Sequence, residues 1–223
     1  MTLIEGQSFR RTTTVQQLAD WLAERILSGA ITPGQRLRES AVAAELGVAR
    51  NTVREAVRIL ELGGLVRHEV NRGAVAVSPT PEVLDDLYES RVILECTALR
   101  SATTEQIGPV EKAYAQLLEV ADSGNAHRIV SADLAFHGAI IGMLNNSRVL
   151  SFYEQLSREL HFYLMYLVVR DREFEQSSIV VSGHRTIMDA LRAGNLEQAA
   201  AEAASHIEHN KARVKALLAS VVS

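Results

Sequence analysis

Two groups of residues in this 223-residue chain have the types and spacing to do chemistry. The first is Asp133, His137, His184 and His206. Asp133 and His137 stand four apart, so a helix would project both from one face. Their neighbours Leu134, Phe136, Ile140 and Ile141 are apolar, whereas a solvated ion pair more often sits among Lys and Glu. His184 opens a stretch with Ile187 and Leu191, and His206 lies beside Ala203, Ala204 and Ile207. One oxygen and three imidazole nitrogens suit a divalent transition metal such as Zn2+ or Ni2+, with room left for water or a carboxylate. Each residue alone also has a plainer reading. Asp133 and His137 could be a local helix pair worth roughly a few tenths of a kcal/mol. His184 could cap its own helix or meet an acid, and His206 and His209 could be polar positions on an exposed face. The second group is Arg50, Arg54 and Arg58, at i, i+4 and i+8, a basic stripe on one side of a helix. Its chemistry would be hydrogen bonding to phosphates and base edges.

The elements that must position the arginines can be read from the flanking pattern. Val15, Leu18, Leu22 and Ile26 give a first helix over 13–28, ended by Gly29. Trp21 and Leu22 are expected to pack beneath the arginine-bearing helix. Pro33-Gly34 makes a turn, and Ser40 is a candidate N-cap for a short helix that stops at Gly47. On the next helix Val53, Val57 and Leu60 form an apolar face separate from the arginine stripe. Leu65–His68 and Ala74–Val77 then read as two short strands, with Asn71-Arg72-Gly73 as the hairpin tip. Three helices and a hairpin in this order make a winged helix-turn-helix, whose arginine-bearing helix enters the DNA major groove.

Pro79 and Pro81 mark a linker over 79–82. Beyond it no strand pattern occurs. Six helices account for the remainder, near 82–103, 109–123, 126–144, 147–169, 175–193 and 196–221. Pro109 suits a first helical position. Gly124-Asn125, Asn145-Asn146 and Gly194-Asn195 are stop-and-cap pairs, and Asn195 with Gln198 forms a capping arrangement. The fold class is therefore mainly α, a winged helix-turn-helix over 12–78 followed by an all-α six-helix bundle over 83–223, with a flexible N-terminus at 1–11.

Composition narrows the function further. Hydrophobic residues make up 47% and charged residues 22%, as in a water-soluble globular protein. No run of 18 apolar residues would span a membrane, so no membrane partner is expected. Residues 1–11 lack the apolar core of a secretion signal, which points to the cytoplasm. Cys96 is the single cysteine, so no internal disulfide can form, and its apolar setting favours packing over reactivity. The net charge of −4 conceals an asymmetry. Residues 1–80 carry ten arginines, no lysine and eight acids, a balance of +2, and the remainder carries 13 basic and 19 acidic side chains, a balance of −6. A DNA-facing N-terminal part with an acidic C-terminal part follows.

The N-terminal third resembles the DNA-binding domain of GntR-type bacterial regulators. The likeness rests on Ile31-Thr32-Pro33-Gly34-Gln35-Arg36-Leu37-Arg38-Glu39, on Leu46-Gly47-Val48 with Arg50, on Val53-Arg54-Glu55-Ala56-Val57, and on Gly64-Leu65-Val66 with Arg72-Gly73. It implies a DNA-facing set of Arg38, Ser40, Ala49, Arg50, Asn51, Thr52, Arg54, Arg72 and Gly73, with His68 on the wing near the backbone of the duplex. The chain departs from the family pattern at Ala49, where a capping Ser or Thr is common, and at Ser40, where a basic residue is frequent. Asn51 or Thr52 could take over part of the missing cap's role.

The part from 82 to 220 is similar to the FCD ligand-binding domain of the FadR-like group, in its shorter VanR-like variant. That resemblance implies that Asp133, His137, His184 and His206 converge on one metal, and that His127, His161 and His209 are not among its ligands. It also suggests that Arg91 faces a ligand cavity, where its guanidinium would match a carboxylate. A surface pair of Arg91 with Glu95 is the equal alternative. Tyr163, Met165 and Tyr166 either line the pocket or belong to the core. The implied protein is a homodimeric repressor or activator that binds a palindromic operator in double-stranded DNA and responds to a small carboxylic-acid effector. Three rival readings of the cluster are a metal-dependent enzyme, a direct metal sensor and a purely structural site.

Overall fold

The structure, a computed structural model, describes residues 14–77, 79–172 and 176–222. The expectation for the N-terminus at 1–11 lies outside them. Three helices open the chain, α1 (Thr14–Leu27), α2 (Glu39–Leu46) and α3 (Arg50–Leu62). An antiparallel hairpin of β1 (Val66–Glu69) and β2 (Gly73–Ala76) follows, pairing Val66 with Ala76 and Glu69 with Gly73. Both strands begin one residue away from the expected bounds. The Val70–Arg72 tip turns through Asn71 and Gly73, both at positive φ (65° and 77°), which suits these two residue types. An isolated bridge from Arg36 to Val75 ties the approach to α2 onto the hairpin's inner edge.

The small N-terminal core forms where the apolar stripes meet. Leu18, Leu22 and Ile26 of α1 are buried with Val53, Val57 and Leu60 of α3. Leu22 thus lies beneath α3 as expected, but Trp21 does not. It is 40% exposed, with the Arg25 guanidinium 4.7 Å above its ring, because its position falls outside the α1 stripe. Ser40 is not an N-cap either. The cap lies two residues earlier, at Arg38, which makes no side-chain hydrogen bond, and the helix starts at Glu39.

The chain re-enters helix at Pro81, earlier than the expected end of the linker. Thr80 caps it, accepting a hydrogen bond from the Val83 N–H, and Pro81 takes the first helical position, where a missing N–H costs nothing. The six expected helices are all present: α4 (Pro81–Arg100), α5 (Ile107–Ala121), α6 (Ala126–Gly142), α7 (Ser147–Arg170), α8 (Ser177–Arg192) and α9 (Leu196–Val222). A 3-10 turn at Thr104–Gln106 leads into α5, so Pro109 is its third residue rather than its first. That position is still within the first turn, where backbone N–H groups have no helical partner. Asn125, Asn146 and Asn195 cap as their spacing predicts, each side-chain oxygen accepting from an N–H two or three residues on. Helix α9 packs along α4 and α8, and α6 lies between α5 and α7. Cys96 is buried and its thiol donates to the Ala200 carbonyl, in keeping with a packing role.

The two parts of the chain are in contact. Helix α1 packs on α7, and the end of α3 reaches the same helix. At Gly63 a side chain could not fit, since a Cβ there would stand 2.3 Å from the Phe162 ring. Among the described residues no helix is long and apolar enough to cross a membrane.

Candidate DNA-recognition surface and metal centre

Helix α3 displays its arginines on the side away from the core. Arg50, Arg54 and Arg58 are exposed, while Val53, Ala56, Val57 and Leu60 on the opposite side are buried. Ala49 is the N-cap and offers no side-chain hydrogen bond, so the first N–H groups of α3 point outward, available to a phosphate. Glu39, at the start of α2, lies 3.5 Å from Arg50 Nε and 3.4 Å from Arg54 Nε. One carboxylate thus orients the two leading arginines. Arg38, Ser40 and Asn51 are exposed, and Thr52 is partly so.

On the wing, Arg72 is held back. It donates to Glu69 and, through Nη2, to the Gly34 carbonyl at 3.1 Å. Arg67 shares the same Glu69 at 2.8 Å, and together the two arginines hold that carboxyl below the usual carboxylate range. His68, the other wing residue singled out from the sequence, pairs with Glu61 at 2.8 Å.

The second site lies inside the helical bundle. Helix α6 carries Asp133 and His137, α8 carries His184 and α9 carries His206. Their ligand atoms all fall within 4.8 Å of one another. Asp133 Oδ1 stands 2.9 Å from His184 Nε2 and 4.0 Å from His137 Nε2. The His206 ring stacks on His137 at 5.4 Å between centroids and meets His184 at 4.5 Å. Asp133 Oδ2, His137 Nε2 and His184 Nε2 are buried without a hydrogen-bond partner among the described residues. The short approach of His184 to Asp133 is therefore not aligned as a hydrogen bond.

Buried polar atoms normally find partners. Several such atoms facing one point fit a bound cation. Tetrahedral Zn2+ with bonds of about 2.0–2.2 Å spaces its ligands roughly 3.3 Å apart, in the range seen between these atoms.

The supporting contacts set which nitrogen faces that point. His184 Nδ1 lies 2.7 Å from the Val180 carbonyl, which can only accept, so Nδ1 carries a proton and Nε2 is turned toward the cluster. His137 Nδ1 lies 2.6 Å from Glu95 Oε2 in the same sense. Glu95 also accepts from Arg91 Nε at 2.8 Å, and the Tyr153 hydroxyl is 3.4 Å from its Oε1.

Charge states follow from burial and neighbours. Burial pushes His137 and His206 below the ordinary imidazole range, helped by Arg91 at the first and by the other two histidines at the second. Burial works to raise Asp133, but His184, His137 and Arg91 outweigh it and keep this carboxyl well below the usual range. Neutral imidazoles and an ionised carboxylate are the forms that bind a metal.

A cavity of about 260 Å3 opens onto the cluster. Asp133, His184 and His206 lie in its wall with Asn210, Ser205 and Thr186, and the wall also includes Leu164, Leu167 and Val168. Met165, Tyr163 and Tyr166 are not in that wall; Tyr163 and Tyr166 are core residues.

Arg91 departs from both sequence-based expectations. It does not line the cavity, and its pair with Glu95 is not at the surface, since both side chains are fully buried. Helix α4 turns this face inward, against α9 and α6. Its Nε donates to Glu95, which in turn meets His137 Nδ1, while Nη1 and Nη2 are buried without a hydrogen-bond partner among the described residues.

Three contributors are not evident from the sequence. Glu95 stands out there only as a neighbour of Arg91. Asn210 places its amide 3.3 Å from His206 Nε2, and its i, i+4 spacing from His206 is a usable signal. Gly183 lets α8 approach α9 so closely that a Cβ there would lie 2.2 Å from His206 Nδ1, which nothing local in the sequence announces.

Comparison with known proteins agrees with this architecture. Residues 14–75 match the family described as bacterial regulatory proteins, gntR family, and residues 86–209 match the FCD domain. The gluconate operon transcriptional repressor of Bacillus subtilis is 28% identical over 188 residues, covering 82% of this chain and 77% of that protein. A probable D-xylose utilization operon transcriptional repressor of Paenarthrobacter nicotinovorans is 27% identical over 200 residues, 88% of this chain and 87% of that one. The crystal structure of a GntR transcriptional regulator from Rhodococcus sp. RHA1 superposes with a TM-score of 0.65 at 29% identity, covering 91% of this chain and 97% of that one.

Proposed function

Because this chain belongs to the GntR family of bacterial transcription regulators, with an FCD domain behind its DNA-binding domain, we propose that a small organic acid, held at a metal in the helical bundle, controls its affinity for an operator. DNA binding itself follows from the family, as does the absence of enzymatic function; the hydrolytic reading of the cluster is set aside on that ground. The observation that carries the proposal is the meeting of a four-ligand cluster with a cavity of about 260 Å3. Asp133, His137, His184 and His206 hold a Zn2+- or Ni2+-class ion. Such an ion supplies a Lewis-acidic partner for a carboxylate oxygen. Ser205, Thr186 and Asn210 in the wall offer hydrogen bonds to hydroxyl groups on the acid, and Leu164 and Leu167 cover its carbon chain.

Two copies of the chain present two α3 helices to a palindromic operator in adjacent major-groove faces. Arg50 and Arg54 lead into the groove, and the wing follows with Arg72 and Gly73. The acid changes operator affinity only if it binds two arrangements of the dimer unequally. Release is the expected outcome, in line with the repressors of the gluconate and D-xylose operons that this chain resembles.

A thermal-shift screen of the Zn2+-loaded, full-length protein against small carboxylic acids tests this. An acid that raises Tm should also weaken the operator complex in a gel shift. Both effects should vanish in Asp133→Ala. An acid that raises Tm but leaves operator affinity unchanged would mark a binding site without a regulatory role and reject the proposal.

A further inference from the structure

A second cluster joins the two domains. Asp20 lies on α1 of the DNA-binding domain, His127 on α6 and His161 on α7 of the helical domain. One Asp20 oxygen stands 2.9 Å from His127 Nε2 and the other 2.9 Å from His161 Nε2. The two rings are 6.1 Å apart between centroids, at 37°. The ligand atoms of all three residues lie within 4.8 Å of one another. Gln16, one turn before Asp20, reaches the same point, its amide nitrogen 3.0 Å from Asp20 Oδ1 and 3.5 Å from His161 Nε2.

We propose that Asp20, His127 and His161 form a second divalent-metal site, of the Zn2+ class, that ties the DNA-binding domain to the effector domain. Three features point to it. Both imidazoles aim the same atom, Nε2, at one carboxylate, as ligands around a shared ion do. The Asp20 side chain is only 9% exposed, and among the described residues its Oδ2 is buried without a well-formed hydrogen bond despite the nearby His127. A tetrahedral ion sets neighbouring ligands about 3.3 Å apart, so an ion would enter with outward shifts of only a few tenths of an ångström. Two nitrogens and one oxygen favour Zn2+, Ni2+ or Co2+ over Mg2+ or Ca2+, which take oxygen ligands. Rotation of the Gln16 amide would bring its oxygen to the fourth position, or water would fill it.

The consequence is mechanical. The three ligands come from both domains, so an ion there fixes α1 against α6 and α7, on the same face where Gly63 meets Phe162. The site is separate from the four-ligand cluster and shares no residue with it.

Metal content of the full-length protein tests the proposal. The protein is stripped with a chelator, equilibrated with Zn2+, desalted and measured by emission spectrometry. His127→Ala combined with His161→Ala should lower the count by one ion per chain relative to wild type. An unchanged count overturns the proposal. His137→Ala with His206→Ala is measured in parallel, and its result bears only on the bundle site, so the two failures are distinguishable. Asp20→Asn keeps the size of the side chain and guards against unfolding as the cause of loss. It should also lose one ion while its circular dichroism matches wild type, and retention of the ion would overturn the proposal. Amide exchange in α1 should slow on adding Zn2+ in wild type and not in the His127→Ala, His161→Ala variant; equal slowing in both would reject the clamp.

Discussion

The two functional surfaces of this molecule are built in opposite ways. On α3 the arginines are exposed, and Arg50 and Arg54 meet Glu39 across 3.4–3.5 Å. In the bundle each ligand is buried or nearly so, and two imidazoles are oriented by a hydrogen bond behind them. Exposed ion pairs contribute little to stability, about 0–1 kcal/mol. Their arginines remain free to follow a phosphate backbone and trade one partner for another. A metal ligand set needs the reverse, because a misplaced nitrogen wastes the site. The contrast teaches that the DNA-facing surface works through charge and access, whereas the proposed metal site would work through preorganisation.

The sharpest way to break that contrast is Glu95→Ala. It leaves the Arg91 charge buried without its partner and His137 without its orienting acceptor. Chemical denaturation should show a loss of about 3–5 kcal/mol. A loss under about 1 kcal/mol would mean that the bundle tolerates this charge as a surface would.

Next in size, Arg50→Ala or Arg54→Ala should weaken operator binding by about 1–3 kcal/mol for each base edge no longer read, with denaturation midpoints close to wild type. The wild-type complex should also weaken steeply with salt. A variant that binds as wild type does in a gel shift would remove that arginine from the interface.

Acid provides a third measurement. The folded, metal-free protein holds His137 and His206 below the ordinary imidazole value of 6.5. The unfolded chain therefore takes up protons first as pH falls. The stability these rings contribute is complete above about 6.5 and is lost as pH falls toward their lowered values, with a slope of at most about 1.4 kcal/mol per pH unit for each ring. Flat stability between about pH 7 and 5 would contradict their neutral, buried state.

The smallest effect is expected at Glu39→Gln. Removing this carboxylate frees Arg50 and Arg54 and deletes a negative charge from the DNA-facing side, so operator affinity should rise by less than about 1 kcal/mol. A fall would show that Glu39 positions the arginines more than it competes for them.

Much of this organisation is legible in the chain. The apolar stripe at Val53, Val57 and Leu60 places the recognition helix, and the asparagine caps Asn125, Asn146 and Asn195 locate three helix starts, because periodicity and capping are local. Asp133 and His137 are legible as a pair for the same reason. Trp21 goes against expectation because one position along a helix changes which side meets the core, and Ser40 because the helix is capped two residues earlier, at Arg38.

Local order along the sequence determined the mainly helical fold, the winged hairpin and the Asp133–His137 pair, while the grouping of His184 and His206 with that pair came from the resemblance to the FCD domain. Only the packed bundle decided that Arg91 and Glu95 pair out of reach of solvent, that Gly183 must lack a side chain, and that Asp20 meets His127 and His161. These relations join residues up to 141 positions apart, and no helical or strand period connects them. They exist only where helices from both domains are brought side by side.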